Sequence, residues 1–433
     1  MLTGQREKKP SPFFQIAAWA PLVFVLLKYF LLSLAASGVD FVAYYGAAGS
    51  FLQGQNPYQH QEHLSGPMVY PMFTVLLCAP LSLLPEKTAD ILWDLLQVSL
   101  TVGSVLLLIA YYRPQARESS RGPDSGSRPE PAPRIPDHDV IIHWPLIPPL
   151  LMAAFTPAYM DLNAGNIQPL NLFLVTLLGA ALLHDRQGLA GMALAALCGI
   201  KVLPVVLVPA LLIAGKRRAV AVWAAALAAY GLLLLATGWW RWELDLFTRL
   251  LPQFSALGLE FRGLLSSLAL LAGEFLYAPI LDSRATFALA IRVAAVLVCS
   301  LYVLALCLGR ARYRLAWQDG FSLGLMTLLL SCPVIIFPHF SWLFPAYVWL
   351  FTGYFKGRHG HVFFAMSLFL WIVIFSGRVL QDLVPSPLFP FRDAALAALL
   401  VLWVMNLARG VYLAGPGPMR VQAGFGGRSG DAM

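Results

Sequence analysis

Charge is scarce in this chain. Only 12% of its 433 residues are Asp, Glu, Lys or Arg, 59% are hydrophobic, and the mean hydropathy is +0.70. A water-soluble domain of this length cannot bury so much apolar side chain, so a soluble globular fold is excluded. Paired cysteine is also missing. Cys78, Cys198, Cys299, Cys307 and Cys332 lie in or beside apolar runs with no CxxC spacing, which argues against a disulfide framework and against a zinc site. No small-residue cleavage pattern follows the first apolar run, about Phe14 to Ala36, and that run is too long for a signal-peptide core; it reads as a retained first helix. The ExD of Glu243 and Asp245 is not assigned a metal. No clear internal repeat and no soluble domain stand out.

What charge there is has a pattern. The net charge of +8 could suggest nucleic acid, but the basic residues fall where a membrane protein keeps them on its cytoplasmic side. One orientation puts inside the N-terminus (Arg6, Lys8, Lys9), the five Arg of the linker after Tyr112, Arg186, the run Lys216 to Arg218, the cluster Arg310, Arg312 and Arg314, Lys356 with Arg358, and the tail Arg409, Arg420 and Arg428. Seven basic residues fall outside and three, Lys28, Lys201 and Arg292, lie within apolar runs. The excess is therefore a topology signal, and no nucleic-acid partner is expected; membrane lipids are. Lys28 and Arg292 read as structural.

The fold class expected is all-α, a polytopic membrane protein of about ten to thirteen transmembrane or half-membrane helices, because lipid leaves backbone groups no partner outside their own helix. Residues 1–112 form an N-terminal membrane part with a first outer loop at 38–71. The Pro-, Ser- and Gly-rich stretch 113–139 balances five Arg against five acids, cannot bury a core, and is expected to be a disordered cytoplasmic linker. A C-terminal membrane part covers 140–412 and a cytoplasmic tail 413–433. Spans are expected near 14–37, 88–112, 140–157, 166–184, 217–237, 286–309, 318–335, 340–355, 361–378 and 390–410. Two stretches do not fit as simple crossings. Met72 to Leu84 is too short and is fenced by Pro71 and Pro85, so it reads as re-entrant or interfacial. "GLAGMALAALCGIKVLPVVLVPALLIAGKRR" has basic residues at both ends, so it should enter and return as two half-helices broken around Lys201 and Pro204.

On this topology the polar segments converge on the outer face: Gly38 to Pro71, "DLNAGNIQPLN" from Asp161 to Asn171, Trp239 to Arg262 with its tryptophan belt, and "SCPVIIFPHFSWLFP" from Ser331 to Pro345. Read in order, "D…Y…A…G…NPY" after the first helix, then "YP", "GNIQ", "GIKVLP", "QFSALGLEFR" and "SCPVIIFPHFSWLFP" resemble glycosyltransferase family 87, the polyprenyl-phosphate-mannose-dependent, mannosyltransferase-like branch of the multi-span GT-C enzymes, over roughly residues 14 to 350. The resemblance implies that Asp40 is the catalytic base. It implies that Lys201 of "IK..P", Arg262 and His339 bind the donor phosphate, and it gives Tyr58, Tyr70, Asn166 and Gln168 of the same motifs to substrate binding. It also implies a polyprenyl-phosphate sugar donor, a glycan, glycolipid or protein acceptor, and a bacterial plasma membrane with the site on the extracytoplasmic side. Gln253 and Phe254 depart from the family's Asn-Gln, "GNIQ" reverses its "GQ.N", and Ile336 and Pro338 replace its tryptophan and first histidine. These departures leave the sugar and the acceptor open.

The chemistry asks for such residues. A hydroxyl acceptor is a poor nucleophile until a base takes its proton, and a leaving lipid phosphate gains charge that fixed cations stabilise. Direct displacement inverts the anomeric centre and requires neither cofactor nor metal. Each residue has a plainer role open to it. Asp40 could cap a helix beginning near Phe41, Lys201 could extend to the surface, His339 could be a core histidine, Arg262 an ordinary interfacial arginine, and Trp239 part of an interface belt. A transporter or lipid flippase is the alternative class, since it too carries broken helices and buried charge, although transporters show matched broken segments in two halves. A catalytically inactive scaffold is a third.

The topology itself is testable. Cysteine substitutions near Gln59 should be modified by an impermeant thiol reagent added from outside, and substitutions near Ser125 should not; modification at both would overturn the arrangement.

Overall fold

A backbone that meets lipid must satisfy its own hydrogen bonds, and every regular element described is helical, with no strand among the described residues. The computed structural model describes residues 11–35, 37–59, 68–112, 146–253, 284–313, 317–332, 337–353, the short pieces 365–366, 368–370 and 372–373, and 391–408. The expected linker 113–139 and tail 413–433, Arg262, and most of the 361–378 span lie outside the described residues.

In chain order the helices are α1 Pro12–Ser33, α2 Val39–Leu52, α3 Met72–Cys78, α4 Glu86–Tyr111, α5 Ile147–Ala153, α6 Thr156–Ala164, α7 Gln168–Leu183, α8 Gln187–Ile200, α9 Val208–Ile213, α10 Arg217–Thr237, α11 Trp240–Asp245, α12 Arg284–Tyr313, α13 Trp317–Leu330, α14 Phe344–Gly353 and α15 Phe391–Ala408. Tight 3₁₀ turns at Leu203–Leu207 and Phe337–Leu343 stand before α9 and α14. Among the described residues, α1, α4, α10 and Leu289–Leu308 of α12 are long and apolar enough to cross a membrane. The protein is an all-α polytopic membrane protein. α1 exposes Phe13, Phe14, Val23, Phe24, Leu27 and Leu31, as a lipid-facing helix should, whereas α13 is buried all round from Phe321 to Leu330.

Helix contacts fix the order of the crossings. Lys87 donates to the Leu34 carbonyl at 3.0 Å and pairs with Asp90 at 3.4 Å, which ties the start of α4 to the end of α1. The intervening α2 and α3 therefore lie at that same end, and α3, only seven residues long, does not cross. At the opposite end the Tyr111 and His184 rings meet edge-on, with centroids 4.9 Å apart. There too Lys216 pairs with Asp185 at 2.8 Å, so the chain between them, α8 through α9, goes in and comes back.

The turning point of that hairpin has a local cause. α8 is built from Ala, Gly and Leu, and its small buried residues Ala190, Gly191, Ala193 and Ala195 admit close neighbours. It packs against α7 on one side and α10 on the other. Lys201 then takes an extended conformation, φ −143° and ψ 132°, and Pro204, which has no N–H to continue the helix, opens the 3₁₀ turn. Two departures from the sequence reading concern boundaries. The 140–157 span is replaced over its described part by two short helices, α5 and α6, separated at Phe155, because Pro148 and Pro157 each sit in a first turn and restart the chain. The expected outer loop after Trp239 is helical as far as Gln253, since Leu246 is buried and Leu250 and Leu251 pack beside it.

Candidate functional site

Asp40 lies in the first turn of α2, not at its cap. The helix begins at Val39 with Gly38 as its N-cap and without a side-chain cap, because the turn starts two residues before Phe41. The Asp40 carboxylate is thus directed elsewhere: Oδ2 accepts a hydrogen bond from Asn166 Nδ2 at 2.6 Å.

Two glycines make that contact possible. A Cβ on Gly38 would stand 2.6 Å from the Ala164 carbonyl and the Gly165 nitrogen. Gly165 itself closes α6 at φ +67°, a left-handed conformation in which a side chain is strained, and a Cβ there would meet Phe41 at 2.8 Å. Backbone therefore touches backbone between the start of α2 and the turn before α7. Trp93 of α4 fixes the same turn by donating Nε1–H to the Gly165 carbonyl at 2.8 Å.

Asn166 is the hub. Its Oδ1 accepts from the Gln168 backbone N–H at 3.2 Å and, at the long distance of 3.5 Å, from the Tyr70 hydroxyl. The Tyr70 ring in turn lies under the Lys201 ammonium, 5.2 Å from its centroid, and Trp342 lines the other approach at 5.9 Å. Lys201 Nζ is 2.8 Å from His339 Nε2; an ammonium can only donate, so that ring nitrogen is the acceptor. Trp342 closes the circuit by donating Nε1–H to Gln168 Oε1, which also accepts from Asn171 Nδ2 at 3.0 Å.

Of the residues singled out from the sequence, Asp40, Tyr70, Asn166, Gln168, Lys201 and His339 are thus connected in one cluster. Tyr58 stands one step away, with its hydroxyl spent on the Tyr70 carbonyl at 3.1 Å. Arg262 is outside the described residues. Glu243, from the ExD, accepts the Met72 backbone N–H at 2.8 Å, supplying the α3 N-terminus with the cap that Pro71 lacks. Trp239 and Trp242 pack their rings edge-on against Phe51 of α2, at 4.9 and 6.3 Å. The cluster also holds Trp342, Asn171, Ser341 and Asp161, which lie inside the quoted segments but were given no role from the sequence. The signal for Asp161 was its place at the head of the polar segment "DLNAGNIQPLN".

Burial raises the Asp40 carboxyl above the ordinary 3.8, opposed first by the Asn166 hydrogen bond and then by the Lys201 charge. Such a group is a better proton acceptor than a free aspartate once ionised. Among the described residues, His, Cys, Asp and Glu nowhere gather in a group of three that could hold a metal ion.

Compared with known proteins, residues 68–333 match the model of glycosyltransferase family 87. The match begins after Asp40 and ends before His339. No curated protein and no solved structure matches the chain.

The Asn166 bond has a measurable consequence. It favours the ionised carboxylate, so Asn166→Ala should move the Asp40 titration to higher pH, read as the infrared carboxylate band lost between parent and Asp40→Asn difference spectra. An unchanged or lowered midpoint would contradict the geometry.

Proposed function

Because that match spans more than half of its 433 residues, the chain belongs to glycosyltransferase family 87, and we propose that this membrane glycosyltransferase moves a sugar, mannose being the first candidate, from a polyprenyl-phosphate donor to a hydroxyl on an extracytoplasmic acceptor with inversion. The observation that carries the proposal is a base and a cation joined through two intervening side chains. Asp40 and the Tyr70 hydroxyl share Asn166, and the Tyr70 ring supports Lys201.

In this reading the acceptor oxygen attacks the anomeric carbon while its proton passes to Asp40. The bond from that carbon to the phosphate oxygen breaks, and its electron pair stays on the phosphate. Lys201, steadied by His339, faces the charge that develops there. Arg262 is proposed as a further phosphate contact, and Tyr70, Asn166 and Gln168 as substrate contacts, with Tyr58 acting through Tyr70. A lipid donor suits the setting, since Lys201 sits where a half-membrane helix breaks and is reachable by a head group whose tail stays in the bilayer.

Charge supports an extracytoplasmic site. The site end of the bundle is opposite the end that carries Arg186 and the Lys216 to Arg218 run, and basic residues are kept in the cytoplasm. An acceptor glycan, glycolipid or protein would therefore approach from outside. Family membership supports transfer chemistry over the transporter reading.

Purified Asp40→Asn should insert and melt like the parent but transfer sugar about 10² to 10⁴ times more slowly, the range for a positioned base. Parent-like turnover in this variant would remove Asp40 from the mechanism. Lys201→Met should lower turnover by about 10² to 10³ and weaken the donor, measured with a short-chain polyprenyl-phosphate mannose. In the parent, kcat/KM should fall as pH drops through the raised Asp40 value, because the protonated carboxyl accepts nothing; the residual activity of Asp40→Asn should lack that limb.

A further inference from the structure

Next to Asp40 and Lys201 several buried polar side chains carry atoms with no hydrogen-bond partner among the described residues. Asp161 is fully buried, and neither of its carboxylate oxygens has a hydrogen-bond partner among the described residues. The same is true of Asn171 Oδ1, Gln168 Nε2 and Ser341 Oγ, on side chains no more than 1% exposed. These groups are neighbours. The Asn166 N–H donates to the Asp161 carbonyl at 2.9 Å, Asn171 and Trp342 meet on Gln168 Oε1, and Ser341 faces the Asp161 carboxylate without a hydrogen bond of normal geometry. Asp161 also interacts electrostatically with both Lys201 and Asp40.

Buried polar groups are normally satisfied, and leaving several unmade at one place is costly unless a ligand completes them. Their inventory is specific: three acceptor oxygens, one amide donor, and one hydroxyl that can do either. A phosphate would be repelled by the carboxylate and by the bare amide oxygen. A polyol, whose hydroxyls each donate and accept, matches the set. A role for Asp161 as a mere counter-ion fits less well, because the Lys201 ammonium makes its close contact with His339 and no ion pair within 4.0 Å joins it to Asp161.

We propose that Asp161, Asn171, Gln168 and Ser341 form the subsite that holds the ring hydroxyls of the transferred sugar, with Asp161 as its principal contact. This rests on the glycosyl-transfer reading of the neighbouring cluster, though only on its sugar and not on its lipid phosphate. The anomeric carbon then lies between Asp40 and Lys201 because the rest of the ring is anchored beside them.

The test separates sugar from phosphate. Saturation-transfer NMR is recorded on the full chain in nanodiscs with methyl α-mannoside, methyl α-glucoside and methyl α-galactoside, and farnesyl phosphate affinity is measured on the same samples. At least one hexoside should receive saturation from the parent. Its affinity should fall about 10- to 100-fold in Asp161→Asn and by less in Ser341→Ala, with farnesyl phosphate binding unchanged in both. If Asp161→Asn fails to insert, Ser341→Ala carries the test. Three results overturn the proposal: no saturation reaching any hexoside, hexoside affinity unchanged in the variants, or hexoside and farnesyl phosphate weakening together in Asp161→Asn, which would make Asp161 a partner of Lys201. A parent that binds the hexoside through Asp161 but ignores farnesyl phosphate would defeat the lipid-phosphate donor and leave the subsite standing.

Discussion

Lipid cannot hydrogen-bond, and that constraint decides where this protein can do chemistry. A side chain that must meet a polar substrate cannot project from the middle of a lipid-facing helix, so it has to come from places where helices stop. The site follows this rule throughout. Asp40 follows the end of α1, Tyr70 precedes α3, Asn166 sits between α6 and α7 and Gln168 opens α7, Lys201 stands at the break after α8, and His339 and Trp342 are in a 3₁₀ turn. The breaks are the price of a polar site in an apolar bundle, and proline or glycine marks most of them.

Breaks are mobile unless something fixes them, and each one here is fastened by a group from a distant part of the chain. Gly38 and Gly165 bring two backbones into contact, and Trp93 clamps the carbonyl between them. Glu243 caps α3, Tyr58 holds the carbonyl of Tyr70, and Phe51 anchors α2 to the Trp239 and Trp242 rings. A second hydrophobic cluster, centred on Phe41, Tyr44, Met72 and Ile167, lies beneath these contacts and is distinct from the main core among the long helices. The described residues between α1 and α4 are therefore part of the packed structure, and they aim the Asp40 carboxylate.

The electrostatics depend on the same packing. Burial pushes the Asp40 proton affinity up, while Asn166 and Lys201 pull it down, so the balance is set by how closely three separate elements approach. Tyr70 is the piece common to both halves, binding Asn166 through its hydroxyl and supporting Lys201 through its ring. The unpartnered oxygens of Asp161 adjoin this arrangement and give the neighbourhood its capacity for a further polar group.

Much of this was decided by composition and order along the chain. The excess of apolar residues required a helical membrane protein, the basic residues separated its two ends, and Lys201 with Pro204 announced a broken hairpin, because each depends on local chemistry alone. Asp40 and Lys201 stood out as charges in apolar surroundings, and the resemblance to glycosyltransferase family 87 gave them their roles and added His339. Which of these groups touch could not be read in the same way, because Asn166 reaches Asp40 across 126 positions and Lys201 reaches His339 across 138. The role of Asp40 as a first-turn residue and not a cap, the use of Glu243 as a helix cap, and the burial of Asp161 with its oxygens unpaired were settled only by tertiary structure. Hydrogen bonds between distant helix breaks depend on how the helices pack, and periodicity along one helix carries no record of what another helix brings against it.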